Sequence, residues 1–170
     1  RFVTLALAQT DERVLTDRPV SPAFLFAALL WHEVLAAWKV RQGRGERALQ
    51  ALETAMDEVL DTQCAKLAIT RKLTATMREV WAMQPRFESR SGNRAYRLLE
   101  LPRFRMAYDF LALRAASGEV PAELEEWWRA FQGADAESRK AMLLPDTEPR
   151  KRRRRRRKKD PEGGPAPEAA

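Results

Sequence analysis

Between Leu49 and Cys64 the apolar residues Leu49, Leu52, Met56, Val59, Leu60 and Cys64 return every three or four positions. A strand alternates every second residue, so this stripe fits an α-helix with one buried face. The neighbouring segments carry the same period. Ser21-Pro22 offers an N-cap and a first helical residue: the serine oxygen can accept an orphan N–H, and proline has no N–H to lose. From Ala23 the positions Phe24, Leu25, Leu29, Val34, Leu35 and Trp38 follow at helical steps, and Gly43 and Gly45 end the run. Thr70 can cap a helix that turns Leu73, Met77, Val80 and Trp81 inward and stops at Pro85. A short helix is expected from Gly92 to Leu99. Another starts at Pro102, with Met106, Phe110, Leu111 and Leu113 apolar and Gly118 beyond its end. The last clear helix begins at Pro121, with Leu124, Trp127, Trp128 and Phe131. No Asn-Gly hairpin signal interrupts them, and no repeat of fixed period is visible. The expected fold is all-α.

The periodicity stops near Leu144-Pro145. Beyond it, Arg150 to Lys159 is ten consecutive basic residues. The whole chain has a formal charge of +7, yet residues 1–149 hold 21 basic and 21 acidic side chains. The excess positive charge therefore sits in the tail. Like charges in a row repel and cannot bury surface, so such a segment is expected to be disordered alone. This divides the chain into a helical body, residues 1–144, and a disordered basic tail, residues 145–170. The apolar run Phe2-Val3-Thr4-Leu5-Ala6-Leu7-Ala8 follows Arg1 at once, which suggests a piece of a longer protein.

One cysteine, Cys64, and one histidine, His32, cannot make a disulfide or a zinc site between them. A reducing, cytoplasmic setting is the expectation. The apolar stretch Ala23 to Trp31 is short of the roughly 20 residues a membrane span needs, and no signal peptide opens the chain. No membrane partner is expected.

Few residues invite catalysis. There is no phosphate-binding loop and no dinucleotide fingerprint. Asp57 and Asp61 are four apart on one helix face; a solvated face accounts for them more simply than a shared metal. His32 lies between Trp31 and Glu33, where packing or a hydrogen bond is the ordinary role. Cys64 belongs to the apolar stripe and reads as a buried, inert thiol. Glu119, Glu123, Glu125 and Glu126 surround a helix start, where acids suit the helix dipole. Trp127 and Trp128 point about 100° apart on a helix, so one is core, and the other can meet a partner or stack on a base.

The arginines are more informative. Arg86 to Arg105 contains six arginines against Glu88 and Glu100. If Gly92 is absorbed into the helix, Arg90, Arg94 and Arg97 share one face, with Tyr96 and Leu99 turned inward; Arg103 and Arg105 follow. The planar guanidinium fork can bond two phosphate oxygens. A solvated face with local salt bridges gives the same pattern, and the pattern alone does not choose. The tail residues Lys151, Arg152, Arg153, Arg154, Arg155, Arg156 and Arg157 are expected to bind polyanions by counterion release with little sequence preference; a nuclear localisation signal and a solubility tail are the competing readings.

One segment, Arg94-Ala95-Tyr96-Arg97-Leu98-Leu99-Glu100-Leu101-Pro102-Arg103-Phe104-Arg105 and onward to Ala115, resembles the C-terminal region of the bacterial poly(A) polymerase I family. So do the stretch Pro19 to Trp31, the helix Ala55 to Asp61, Glu126-Trp127-Trp128, and the arginine-rich character of the tail. The resemblance covers essentially residues 1–159. It implies a polynucleotide adenylyltransferase of the nucleotidyltransferase superfamily, which transfers AMP from ATP to RNA 3′ ends with magnesium. The family's catalytic head carries a Gly-Ser motif and paired aspartates, and nothing here matches it. Magnesium and ATP thus belong to a missing head, and no catalytic residue or cofactor is assigned to this chain, which is expected to be inactive alone. What carries over is RNA holding and partner contact, with RNA 3′ ends and RNA-decay proteins as the implied partners. Arg90, Arg94, Arg97, Arg103 and Arg105 are the candidate phosphate contacts of the body. A free-standing helical nucleic-acid-binding or scaffold protein is the alternative, and the oligomeric state is left open.

Overall fold

The computed structural model describes residues 1–145. Among them the chain forms eight α-helices: α1 (Phe2–Leu15), α2 (Pro22–Gly43), α3 (Ala48–Leu67), α4 (Arg71–Met83), α5 (Gly92–Leu99), α6 (Phe104–Ala116), α7 (Ala122–Gly133) and α8 (Ala136–Met142). A 3-10 helix, Gln84–Glu88, continues α4 through Pro85. No strand occurs among the described residues; one isolated parallel bridge joins Ser91 and Leu144. The fold is all-α, as the period requires. The expected disorder of the tail lies, beyond Pro145, outside the described residues.

Local chemistry sets the helix ends. Ser21 Oγ accepts from the Phe24 N–H at 3.4 Å, and Pro22 fills the first helical position. At the other end of α2, Gly45 adopts φ 86°. That left-handed turn lets the Glu46 N–H reach back to the Arg41 carbonyl at 3.2 Å. Gly118 does the same after α6: with φ 81° it returns the Glu119 N–H to the Arg114 carbonyl at 2.9 Å. Helix α6 begins at Phe104, two residues after the expected Pro102, because Leu101 to Arg103 first make a turn closed by Phe104 N–H on Leu101 C=O at 2.9 Å. Helix α8 is not anticipated from the sequence. It buries no residue, so it has no apolar stripe to read; the Asp135 carboxylate starts it by accepting from the Ser138 N–H at 2.7 Å. That bond holds Asp135 below the usual carboxylate range.

Two apolar clusters fill the body. In the first, α2 is central. It buries Ala23, Ala27, Ala28, Leu30, Trp31 and Val34 against Leu52, Met56, Val59 and Leu60 of α3, Met77, Val80 and Trp81 of α4, and Phe2 and Ala6 of α1. Of the expected stripe, Val34 is buried and Phe24, Leu35 and Trp38 pack against this cluster, but the alanines and Leu29 depart from it. Three alanines on the buried face give neighbouring helices close access, and Leu29 is left 43% exposed. Leu49, in the first turn of α3, is 62% exposed and outside the stripe. Helix α2 is, by length and composition, long and apolar enough to cross a membrane. Here it packs against α1, α3, α4 and α6, a core position that explains the same composition.

The second cluster gathers Met83, Phe87, Ala95, Leu98, Phe104, Ala107, Tyr108, Leu111, Leu124, Trp128 and Phe131. Helix α6 belongs to both: Phe110 and Leu113 face the first cluster, Ala107 and Leu111 the second. All five tryptophans tie elements together through the indole N–H, as a buried indole needs. Trp31 donates to Glu119 at 2.8 Å, Trp38 to Ala48 C=O at 2.9 Å and Trp81 to Ala27 C=O at 3.1 Å. Trp127 donates to Met142 C=O at 3.2 Å and Trp128 to Phe87 C=O at 2.8 Å.

Candidate nucleic-acid interface

Helix α5 presents Arg94 and Arg97 to solvent while Ala95 and Leu98 are buried and Tyr96 and Leu99 half-buried. The helix is held by Tyr96, whose ring lies 5.5 Å from that of Phe131. Gly92 opens α5 with φ 52° and Ser91 stands at its N-cap. Arg90 therefore precedes the helix instead of sharing its face, and it is half-buried. Its backbone has a different role. The Arg90 carbonyl accepts from the Leu144 N–H at 3.0 Å, beside the Ser91–Leu144 bridge. Leu144, next to last of the described residues, thus lies beside the N-terminus of α5.

Arg103 and Arg105 form a second group at the start of α6, and each has an acidic neighbour. Arg103 Nε lies 3.1 Å from Glu79, and Arg105 Nε 3.3 Å from Asp109. Arg105 also lies over the Tyr108 ring at 5.6 Å. Arg13 of α1 approaches Asp109 from the other side at 3.5 Å. Burial, the larger effect, raises the Asp109 carboxyl above its usual range against the pull of Arg105 and Arg13. Arg103 borders two surface grooves. One, of about 540 Å³, runs along Arg86, Glu79, Met83 and Leu101. The other is lined by Arg13, Arg105 and the start of α2. The structure therefore splits the five body arginines into an α5 group and an α6 group. The tail residues Lys151 to Arg157 lie outside the described residues.

Several of the other singled-out side chains have structural partners. Asp57 pairs with Arg78 of α4. His32 is exposed and meets the Phe2 ring edge-on at 5.7 Å. Cys64 is half-buried at the border of the first cluster. Trp128 is core; Trp127 is half-buried and stacks on Phe131 at 4.6 Å. Glu123 and Glu125 lie in the first turn of α7, where acids suit the helix dipole, but two of the four glutamates also have specific partners. Glu119 is held by Arg114 and Trp31, and Glu125 accepts from the Tyr108 hydroxyl. Arg114, buried between the two clusters, carries no period and no motif that would mark it in the sequence.

Burial and then the Glu125 bond push the Tyr108 phenol up to about 12. An unperturbed phenol ionises at about 10. The raised value means that the folded chain favours the neutral form. Its contribution to stability is complete below about pH 10 and is lost as pH rises toward 12. Alkaline titration of the tyrosinate ultraviolet band should show a late component that Tyr108→Phe removes; a wild-type curve lacking it would contradict the burial of this phenol together with its Glu125 bond.

Residues 44–160 match the family described as Polymerase A arginine-rich C-terminus. The chain belongs to this family. The match runs from the α2–α3 turn through α8 and the basic run. Poly(A) polymerase I of Escherichia coli O157:H7 is 44% identical over 147 residues, 84% of this chain and 31% of the relative. The Salmonella typhi poly(A) polymerase I is 40% identical over 146 residues, again 84% and 31%. That of Haemophilus influenzae is 36% identical over 145 residues, 84% and 32%. The chain thus spans about a third of these poly(A) polymerase relatives and aligns with their arginine-rich C-terminal region.

Proposed function

We propose that this chain is the RNA-holding region of a polynucleotide adenylyltransferase that extends RNA 3′ ends with AMP from ATP. The transfer, with its magnesium and ATP, is assigned to residues outside this chain. The observation that carries the reading is the bond from Leu144 N–H to Arg90 C=O, which sets Leu144 beside the start of α5, the helix that carries Arg94 and Arg97. Arg150 follows Leu144 by six residues, a reach of about 20 Å at full extension. One strand of RNA can then meet the tail and α5 together. Arg90, half-buried, orders the exit; Arg94 and Arg97 hold phosphates; Arg103 and Arg105 receive the strand farther along. A cytoplasmic setting and contact with RNA-decay proteins belong to the same reading.

Changing Arg94 and Arg97 together to Gln should lower the slope of log affinity for single-stranded RNA against log salt by about 1.4, or roughly 0.7 for each phosphate no longer neutralised. The melting point should hardly move, since exposed substitutions cost within about 0.5 kcal/mol. Binding isotherms over a salt series, with thermal melts alongside, check both. An unchanged slope would remove α5 from the RNA path.

A further inference from the structure

Between the C-terminal half of α1, the start of α2 and the first turns of α6 lies a cavity of about 290 Å³. Val20, Phe24, Leu25 and Met106 give it an apolar floor, all half-buried in the chain as it stands. The Phe24 ring is fixed by an edge-on contact with Phe110 at 5.9 Å. Arg13, Arg103 and Arg105 also line the cavity, with side chains 46%, 46% and 76% exposed. Their guanidiniums therefore border both cavity and solvent. Asp109, shared by Arg13 and Arg105, is the carboxylate among the lining residues, so the lining charge is positive. A guanidinium carries five N–H donors, and these ion pairs leave most of them for another anion. The volume is at the lower end of small-molecule sites, about 300 Å³.

An apolar floor bordered by three guanidiniums suits an occupant that joins an apolar ring to an anion. We infer that the cavity holds one unstacked nucleotide of a single-stranded RNA, its base on Phe24, Leu25 and Met106 and its phosphates on Arg13, Arg103 and Arg105. The inference rests on the RNA-binding reading above and gives it a location. A polymer is favoured over a free nucleotide because the cationic surface does not end at the cavity. It continues past Arg103 into the groove that Arg86 lines, where the next phosphate of a strand would fall.

The test uses the full chain, a short oligoadenylate, an abasic oligomer with the same number of phosphates, and free AMP. Leu25→Trp fills the floor. It should lower oligoadenylate affinity about tenfold, within the usual effect of losing one base–aromatic stack, and leave abasic binding unchanged. Arg105→Gln, at an exposed position where folding is not at stake, should weaken both oligomers two- to fivefold, as a phosphate contact does. Free AMP should bind at least a hundredfold more weakly than the oligomer. Equal loss of both oligomers in Leu25→Trp, or no loss of oligoadenylate in either variant, overturns the cavity while the RNA reading survives. AMP binding as tight as the oligomer overturns the polymeric occupant. A wild-type chain that binds no RNA overturns both readings.

Discussion

Deleting residues 146–170 should reduce the slope of log RNA affinity against log salt by about 3 to 4. Ten consecutive cations occupy Arg150 to Lys159. If about half engage phosphates at once, each contributes roughly 0.7 on a single strand. Between 50 and 200 mM salt a slope of that size is worth about a hundredfold in affinity, so the loss is greatest at low salt. The cut spares Leu144 and its bond to Arg90, and the removed segment carries no aromatic residue and no apolar period. The melting point of the body should therefore stay where it is. The affinity loss should also be nearly equal for homopolymers of different base, because an extended run of cations reads charge and not base edges. Isotherms of both chains across a salt series decide the matter. An unchanged slope would mean that the tail engages something other than RNA. A base preference that disappears with the tail would mean that it takes up a defined form on RNA.

The parts of this molecule that the sequence discloses are those fixed by nearest-neighbour chemistry. Ser21-Pro22 caps α2 because both residues act within one turn, and α5 runs between Gly92 and Leu99 because a left-handed glycine and the turn before Pro102 bound it. The interior of α3 follows its period because one face meets the core. The period misleads where a helix is covered on several sides. In α2 the alanines face the neighbours, and the bulk of Leu29 does not decide which way it points. Helix α8 escapes notice because a carboxylate cap and the Trp127 N–H hold it, with no buried side chain of its own. The site divides the same way. The arginines of residues 86–105 are conspicuous as a cluster, but their separation into an α5 group and an α6 group depends on where Gly92 starts the helix. The cavity beside Arg105 is assembled from α1, α2 and α6, which no local pattern links. Arg114 and Glu119 are the extreme case, since their function exists only after Gly118 turns the chain back.

Glu119→Ala should cost the body about 3 to 5 kcal/mol, the usual effect of removing one partner from a buried ion pair. The Arg114 and Glu119 side chains are only 10% and 16% exposed, with Nε and Oε1 2.8 Å apart. The same carboxylate receives the Trp31 N–H at 2.8 Å. Arg114 also donates to Gln84 Oε1 at 3.3 Å, and its guanidinium lies 5.0 Å from the Trp31 ring centre. Gln84 is itself buried and donates to the Val80 and Ala107 carbonyls. Four side chains thus join α2, the end of α4, α6 and the turn after it, between the two apolar clusters. Alanine at position 119 strands a buried cation and an indole N–H together. Since a body of this kind has a stability of only about 5 to 15 kcal/mol, the melting point should fall by roughly 6 to 20 °C, at about 2 to 4 °C for each kcal/mol. Arg114→Met should cost a similar amount, because it leaves the carboxylate buried without its cation. The double variant should lose clearly less than the sum, as both charges are then gone and only the neutral donors and acceptors want partners. Thermal melts of the two single variants and the double close the cycle. Additive losses below about 1 kcal/mol each would show that water satisfies these groups already and that the clusters are joined by packing alone. Neither residue lines the grooves around Arg103, so RNA affinity measured well below the lowered melting point should be unchanged, which separates this structural role from the binding surface.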